Sequence, residues 1–309
     1  MGTPTVTRIL PLLKLYSDRS LYLFFPFTGA QPQREPPYDE LVFNLRASYR
    51  QETAGLTDHF VDIGRERIAV FYQADAYGRS GWDGVTRALE RHGLEIVGEA
   101  TYRRGTSFTE SFSPQVDILQ EADAEAVILI GSYEACAGLI RDARDVGWDI
   151  PIANVSFVGS ESLLKLLIEA SQETGQEYTI NLINSQVVPS YEDTSLPAVR
   201  EYRELMDSVD PAPPPRVTKA DYEPLRYSFV SFEGFLNAKL LVEILKEMGD
   251  SPSRSQIQST VERIQELDLG IGVPVSFGQG RHQGLDQVYF TTVEDDRFVP
   301  LKDWTEWEK

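Results

Sequence analysis

The chain of 309 residues is 41% hydrophobic and 11% aromatic, a composition that supports one large domain or two smaller ones with real cores. Its 48 acidic residues outnumber its 29 basic residues, and the net charge of −19 argues against nucleic acid as a partner, because nucleic-acid binding needs basic patches. No uncharged apolar run approaches the roughly 18 residues of a membrane-spanning helix.

Cysteine and histidine give no sign of a metal or a cofactor. Cys136 is the single cysteine, so an internal disulfide and a cysteine-based metal site are both excluded. His59, His92 and His282 are far apart in the sequence and lack the spacing of metal ligands. We therefore expect neither a metal nor a cofactor.

The N-terminal part predicts a helix and two short strands. Thr5 can cap a helix over Val6–Tyr16, and this segment lacks the basic region, apolar stretch and cleavage site of a secretory signal. Two apolar strands with a polar, proline-rich loop between them follow, and then a crossing segment and a helix: Leu21–Phe25, Leu41–Leu45, Arg46–Arg50 and Gln51–Ile63.

The central part predicts a parallel, doubly wound sheet. The five apolar residues Ile68–Tyr72 suit a strand buried on both faces, and a polar turn and a helix over Ser80–His92 follow it. Ligands of open α/β sheets bind beyond such strand tips. Strands and helices then alternate: strands Glu95–Tyr102, Ala124–Ile130, Ile152–Val155 and Tyr178–Val188, and helices Pro114–Ala122, Glu134–Val146 and Ser160–Ala170.

The C-terminal part is mainly helical, with an antiparallel tail. Helices are predicted over Ala198–Ser208, Ser228–Met248 and Ser255–Leu267, with a proline-rich surface loop over residues 210–224. The tail strands are Val273–Phe277 and Gln287–Val293. The dinucleotide fingerprint, the P-loop and the Gly-x-Ser-x-Gly elbow are all absent from the sequence, so an enzyme is not expected.

Several segments together resemble a family. The runs IAVFYQADAYGRSGWDGVTRALERHGLEIVGEATY and AEAVILIGSYEACAGLIRDARDVGW are similar to the second lobe of periplasmic solute-binding proteins of the branched-chain amino acid type, which are leucine-binding-protein-like. TGAQPQREP, FNLRASYRQET, SFVGS and QVVPS resemble a subgroup of them, and the resemblance extends from Thr3 to about Pro300. It implies an α/β fold with two lobes, a type I periplasmic-binding "Venus flytrap" with parallel doubly wound sheets.

The resemblance also implies how the chain divides. Residues 1–46 and 190–266 would form lobe one, and residues 47–188 and 267–309 would form lobe two. Family members carry a signal peptide and further lobe-one strands before the position of Gly2. We therefore expect the chain to be N-terminally truncated, with lobe one incomplete, either through a mis-started gene model or a true truncation.

The implied function is non-catalytic capture of a solute. The protein would be the extracytoplasmic solute-binding component of an ABC importer, in the periplasm or outside the cell in its full-length form. It would hold a small amino acid or an organic or aromatic acid between the lobes and present it to an ABC permease. A ligand-binding sensory or receptor module, and a non-functional truncated remnant, remain alternatives.

Candidate site residues follow from positions that match the family's motifs. Tyr77 matches an aromatic wall of the cleft, although it could also be a turn tyrosine packed on its own helix. Ser132 and Tyr133 match the next strand tip. The lobe-one loop, whose hydroxyl and backbone N–H groups would hold a carboxylate, contains Phe27, Thr28 and Gly29, and an earlier such loop contains Thr3 and Thr5.

Ser156 is a departure from the family pattern. In amino-acid-binding members this strand tip carries an acidic residue that pairs with the ligand's ammonium, and a buried ammonium without a counter-charge is costly. Asp75 could compensate, or it could simply cap a helix. Phe157, with the other aromatic candidates, would favour a less polar organic acid or an aromatic ligand.

Overall fold

One mostly parallel β-sheet organises the part of the chain that the computed structural model describes, residues 2–209 and 224–309. Its seven strands lie in the order β4-β3-β5-β6-β7-β8-β9. Their bounds are β3 Ile68–Gln73, β4 Gly98–Tyr102, β5 Ala126–Ile130, β6 Ile152–Asn154, β7 Leu182–Gln186, β8 Tyr289–Glu294 and β9 Arg297–Pro300. Strands β3 to β7 are parallel, whereas β8 and β9 are antiparallel additions at one edge.

Helices cover both faces of this sheet. Along β3, Ala69 and Phe71 enter one hydrophobic core while Ile68 and Val70 enter the other, because successive strand residues point to opposite faces. The five residues of β5 are all buried, which explains why the strands read as continuous apolar runs. The helices are α2 Tyr49–Asp62, α3 Ala76–Arg91, α4 Ser113–Glu121, α5 Tyr133–Asp145 and α6 Ser160–Thr174. The α/β fold class is therefore confirmed.

A second, smaller group of elements packs beside the sheet. The first helix, α1 Thr3–Leu15, precedes two short parallel strands, β1 Leu23–Phe24 and β2 Val42–Phe43. Val6, Leu10, Leu23, Leu41 and Val42 form a compact apolar cluster of their own. Three further helices follow the large sheet's parallel strands along the chain: α7 Pro197–Val209, α8 Phe229–Met248 and α9 Ile257–Val261.

The antiparallel tail differs from its prediction. Val273–Phe277 is not a strand, because only a single bridge joins Val275 to Leu267. Strand β8 instead pairs with β7 on one side and, on the other, with β9, a strand that the sequence did not predict. The two strands meet at Asp295 and Asp296, both with positive φ, and this turn was missed because the sequence has no glycine there, although aspartate tolerates the left-handed region.

Three helix predictions also need correction. The first helix begins at Thr3 rather than Val6, with Gly2 as its N-cap. The predicted crossing segment ends at Ser48, because the Ser48 side chain and Gln51 form a capping box that starts α2 earlier than expected. The helix predicted over Ser255–Leu267 is shorter in the structure, where α9 spans only Ile257–Val261.

The proline-rich loop over residues 210–224 lies outside the described residues, apart from Pro224.

The turn from β3 into α3 is unusually tight. The Asp75 side chain accepts hydrogen bonds from the backbone N–H groups of Tyr77 (2.9 Å) and Gly78 (3.3 Å), so it caps the helix. A Cβ atom on Gly78 would lie 2.0 Å from the carbonyl oxygen of Gln73. The turn can therefore close this tightly only with glycine at position 78.

We predict that Gly78→Ala lowers the free energy of unfolding by about 1–3 kcal/mol, because the added methyl group displaces the backbone of β3. The matched control is Gly234→Ala on α8, where an added Cβ meets nothing within 4 Å. That change should raise stability by about 0.5–1 kcal/mol through helix propensity. Urea unfolding of both variants measures the difference, and an equally stable Gly78→Ala protein would contradict the prediction.

Candidate ligand-binding site

The carboxyl ends of β3, β4, β5 and β6 open onto a cavity of about 470 Å³. Residues that follow these strands form most of its wall, and the start of α1 completes it. The lining residues are Gly2, Pro4, Thr5, Gln73, Tyr77, Arg104, Gly105, Thr106, Ser132, Tyr133, Glu134 and Phe157. Five predicted site residues, Thr5, Tyr77, Ser132, Tyr133 and Phe157, are thus brought together at the edge of the sheet where α/β proteins bind ligands.

An aromatic cluster forms the base of this cavity. The ring centroid of Phe157 lies 4.7 Å from that of Tyr77 and 5.3 Å from that of Phe27, and Tyr49 lies 5.2 Å from Tyr77. Tyr77 is only 2% exposed and its hydroxyl donates to the Gly131 carbonyl oxygen at 3.2 Å. Burial raises the pKa of Tyr77 well above its ordinary value, so its phenol stays neutral. Tyr133, by contrast, is 39% exposed and offers its ring to solvent.

Hydrogen bonds of Tyr102, at the end of β4, link the carboxyl ends of β3 and β5. Its hydroxyl donates to Gln73 Oε1 at 3.1 Å and accepts the backbone N–H of Ser132 at 2.8 Å. Gln73 in turn donates to Asp75 Oδ2 at 2.6 Å. Burial raises the pKa of Tyr102, which therefore keeps its proton. Asp75 is occupied by this network and by its capping role, and it does not line the cavity.

The loop predicted to hold a carboxylate is packed inside the protein. Thr28 is fully buried, and its hydroxyl contacts Thr3 Oγ1 at 2.6 Å, the Tyr49 hydroxyl at 3.3 Å and the Ala30 N–H at 3.2 Å. Gly29 lies so near Tyr49 that a Cβ atom would approach the Tyr49 backbone nitrogen to 2.6 Å. Neither residue lines the cavity, and their role as ligand contacts stays a prediction.

Ser156 and Phe27 lie beside a buried charge cluster that sequence reasoning missed. Arg46, 2% exposed, donates from Nη2 to Glu52 Oε1 at 3.1 Å and from Nη1 to Glu233 Oε2 at 3.4 Å. It also contacts the Ser156 hydroxyl, while the Ser156 N–H donates to Glu52 Oε2 at 2.8 Å. The Arg46 guanidinium lies 5.2 Å from the Phe27 ring centroid. Two carboxylates therefore share one guanidinium at this strand tip.

The electrostatics of this cluster follow from its burial. Desolvation raises the pKa of Glu233, and the Arg46 cation opposes that rise. Burial alone would lower the pKa of Arg46, but the carboxylates of Glu233 and Glu52 raise it, so the guanidinium stays charged. Other segments thus place two carboxylates near position 156, but Arg46 engages both of them and neither lines the cavity.

The missed residues carried only weak sequence signals. Glu233 interrupts the otherwise apolar start of α8, which is the one clue that its side chain is buried for a reason. Arg46 and Glu233 are separated by 187 residues, so nothing in the sequence pairs them. Arg104 lines the cavity from the loop after β4 and Glu134 from the first turn of α5, and neither position differs in sequence from an ordinary surface charge. In the described part of the chain no three His, Cys, Asp or Glu side chains are grouped as a metal site, and no helix is long and apolar enough to cross a membrane.

We predict that Arg46→Met lowers the free energy of unfolding by about 3–5 kcal/mol near neutral pH, because it leaves two buried carboxylates without a cation. Since the pKa of Glu233 is raised in the folded state, that state binds more protons than the unfolded chain above the ordinary carboxyl pKa. The variant should therefore regain stability as the pH falls from about 7 toward 5.

Urea unfolding at both pH values measures this effect. The matched control is Arg50→Met, whose pairs with Glu35 and Asp83 are partly exposed, and it should cost at most about 1 kcal/mol. The double variant Arg46→Met/Glu233→Gln should recover part of the loss. A single Arg46→Met variant that matches the wild type at neutral pH would contradict the role of this cluster.

Comparison with known proteins agrees with this architecture. The family model described as "Periplasmic binding protein" matches residues 12–297. The structure of a possible leucine/isoleucine/valine-binding protein from Rhodopirellula baltica SH 1 is 33% identical, with a TM-score of 0.82, over 100% of this chain and 77% of that one. None of the curated proteins compared with the chain matches it.

Two other solved structures have the same fold. A substrate-binding periplasmic protein from Ralstonia solanacearum is 29% identical, with a TM-score of 0.78, over 95% of this chain and 76% of that one. A branched-chain amino acid ABC transporter protein from Thermus thermophilus with bound valine is 15% identical, with a TM-score of 0.79, over 97% of this chain and 75% of that one. With a family match over most of its length and a cavity at its parallel strand tips, the chain belongs to the periplasmic binding protein family and has its type I fold.

Proposed function

We propose that the protein is the solute-binding component of an ABC importer and captures a small amino acid or organic acid without catalysis. The observation that carries this proposal is the cavity of about 470 Å³ where the strand tips of the large sheet face the start of α1. The protein works outside the cytoplasm and delivers its ligand to an ABC permease. The family match and the 33% identical relative, named as a possible leucine/isoleucine/valine-binding protein, support this assignment.

The cavity lies between two lobes in this proposal. Residues 1–46 and 190–266 form lobe one, and residues 47–188 and 267–309, which include the seven-stranded sheet, form lobe two. Gly2, Pro4 and Thr5 then come from lobe one, whereas the other lining residues come from lobe two. A ligand that contacts both walls favours the closed arrangement, because it binds that arrangement better than the open one.

The charges in the cavity match a ligand with a carboxylate. Arg104 and Glu134 line it, and neither makes an ion pair with another described residue. Arg104 is available to a carboxylate, since guanidinium groups bind carboxylates in a planar, bidentate way. Glu134 is available to the ammonium of an amino acid. An organic acid would use Arg104 alone, so these two side chains separate the two ligand classes.

Apolar contacts complete the recognition. The exposed ring of Tyr133 and the half-buried ring of Phe157 give a side-chain subsite of mixed polarity. Aromatic surfaces of this kind suit an aliphatic or aromatic ligand group. Tyr77 is buried and packs against Phe157, so it holds the Phe157 ring in place and exposes almost no surface of its own to a ligand.

We predict that Tyr133→Ala weakens ligand binding by about tenfold to a hundredfold, the loss that corresponds to removing one aromatic packing surface. The ligand is first identified by mass spectrometry of molecules that co-purify with the protein, and the dissociation constants are then measured by calorimetry. Tyr16→Ala is the matched control, because Tyr16 is 40% exposed but does not line the cavity. Equal affinities in both variants would place the ligand elsewhere.

Two charge variants decide the ligand class. Arg104→Gln should weaken either an amino acid or an organic acid by about tenfold or more, because a charge-assisted hydrogen bond is lost. Glu134→Gln should weaken only an amino acid. A thermal-shift screen of branched-chain amino acids against matched organic and aromatic acids provides the independent answer. A screen that finds only leucine-like ligands would exclude the organic-acid class.

A further inference from the structure

A second cavity, of about 430 Å³, lies beside the crossing segment and shares no lining residue with the first. It is bounded by the loop after β1, by the N-terminus of α2 and by the turn that follows Gly278. Its lining residues are Gln31, Gln33, Arg34, Asp39, Glu40, Asn44, Ser48, Gln51, Gly280, Arg281, His282, Gln283 and Asp286. Nearly all of them are polar, which distinguishes this cavity from a gap in a hydrophobic core.

Three lining residues have a buried polar atom without a hydrogen-bond partner among the described residues, and in each case that atom is an acceptor. Gln31 Oε1 and Gln33 Oε1 are two of them. Gln33 is 1% exposed, and its Nε2 donates to the Thr28 carbonyl at 3.1 Å and to Asn44 Oδ1 at 2.7 Å. Because Thr28 O can only accept, the amide orientation is fixed and Oε1 is left without a partner.

His282 supplies the third acceptor. It is 7% exposed, and its Nε2 lies 3.1 Å from Glu262 Oε1. A carboxylate only accepts hydrogen bonds, so the ring hydrogen of the neutral imidazole belongs on Nε2. Nδ1 is then a bare acceptor, and it has no partner in the described structure. Buried polar atoms are normally paired, so three unmatched acceptors around one cavity call for a ligand that donates hydrogen bonds.

The charges around the cavity favour a cation over an anion. Asp39 and Glu40 line it without an ion pair to any described residue. The two arginines are already engaged: each nitrogen of the Arg34 guanidinium donates to a carbonyl or to Gln283, and Arg281 pairs with Asp286 at 2.8 Å. An anion would therefore meet few available donors, whereas an ammonium would meet both unmatched acceptors and unpaired carboxylates.

We infer that this side cavity binds a small organic cation with N–H donors, such as an aliphatic amine. The amine donates hydrogens to the acceptors of Gln31, Gln33 and His282, and Asp39 and Glu40 neutralise its charge. This site is separate from the cavity proposed for the transported solute. It is nevertheless linked to it, because Gln33 bonds to Thr28, whose hydroxyl donates to Tyr49 beside Tyr77.

Three probes that share a four-carbon chain but differ in their end groups test which charge the side cavity recognises: 1,4-diaminobutane, 1,4-butanediol and succinate. Calorimetry of the full chain at low salt and neutral pH should show saturable, submillimolar binding of the diamine and much weaker binding of the other two. Equal binding of the diol would show that charge is not recognised. Tighter binding of succinate, or no saturation by the diamine at millimolar concentration, would overturn the inference.

Substitutions of the acidic lining residues test whether the diamine binds in the side cavity. Asp39→Asn/Glu40→Gln should weaken the diamine by about tenfold, the factor expected for one lost charge-assisted hydrogen bond. The matched control is Asp117→Asn/Glu121→Gln on the exposed face of α4, which makes the same change in net charge. An equal loss in this control would reveal a long-range charge effect and contradict the site.

Two further measurements separate this inference from the proposed function. Tyr133→Ala should leave diamine binding unchanged, whatever its effect on the transported solute. In long-range ¹H–¹⁵N spectra, the ring signals of His282 should shift on addition of the diamine while those of the surface residue His92 do not. A shift of His92 alone, or a loss of diamine binding in Tyr133→Ala, would place the cation outside the side cavity.

Discussion

The buried guanidinium of Arg46 is the interaction on which the candidate site depends. It lies between the carboxylates of Glu52 on α2 and Glu233 on α8, and it also contacts Ser156 after β6. These four residues come from four separate segments. Since each buried carboxylate must keep its cationic partner, the segments cannot shift independently without leaving an unpaired charge in a low-dielectric interior. The cluster therefore fixes where α2 and α8 lie relative to the strand tips.

The aromatic cluster at the base of the cavity depends on this arrangement. Tyr49 begins α2 only a few residues from Arg46, and its ring packs against Tyr77 and Phe157. Phe27 also packs on Phe157, and its ring lies under the Arg46 guanidinium. A change in the charge cluster would thus reach the ligand cavity through contacts between rings, without any contact between Arg46 and the ligand.

Local and overall charge act differently in this protein. The net charge of −19 repels anions at long range, and salt screens this repulsion. Within the cavity at the strand tips, Arg104 offers a local positive charge and Glu134 a negative one. The side cavity has the opposite character, because its arginines are engaged and its unpaired groups are acceptors and carboxylates. The two cavities therefore differ in the ligand charge that they favour, although hydrogen bonds and ring contacts through Thr28 and Tyr49 connect their walls.

The fold class could be predicted from the sequence, and so could the strands whose carboxyl ends open onto the cavity. Short continuous apolar runs such as Ile68–Tyr72 are typical of strands covered on both faces, and their alternation with helices indicates parallel connections. Tyr77, Ser132, Tyr133 and Phe157 could be chosen because they match motifs of the resembled family, and each of them follows such a strand. The burial of Thr28, and the contact that Glu233 makes with Arg46 across 187 residues, could be seen only once the chain was folded. Strand periodicity is a local property of the chain, whereas the pairing of buried charges depends on which distant segments the fold brings together.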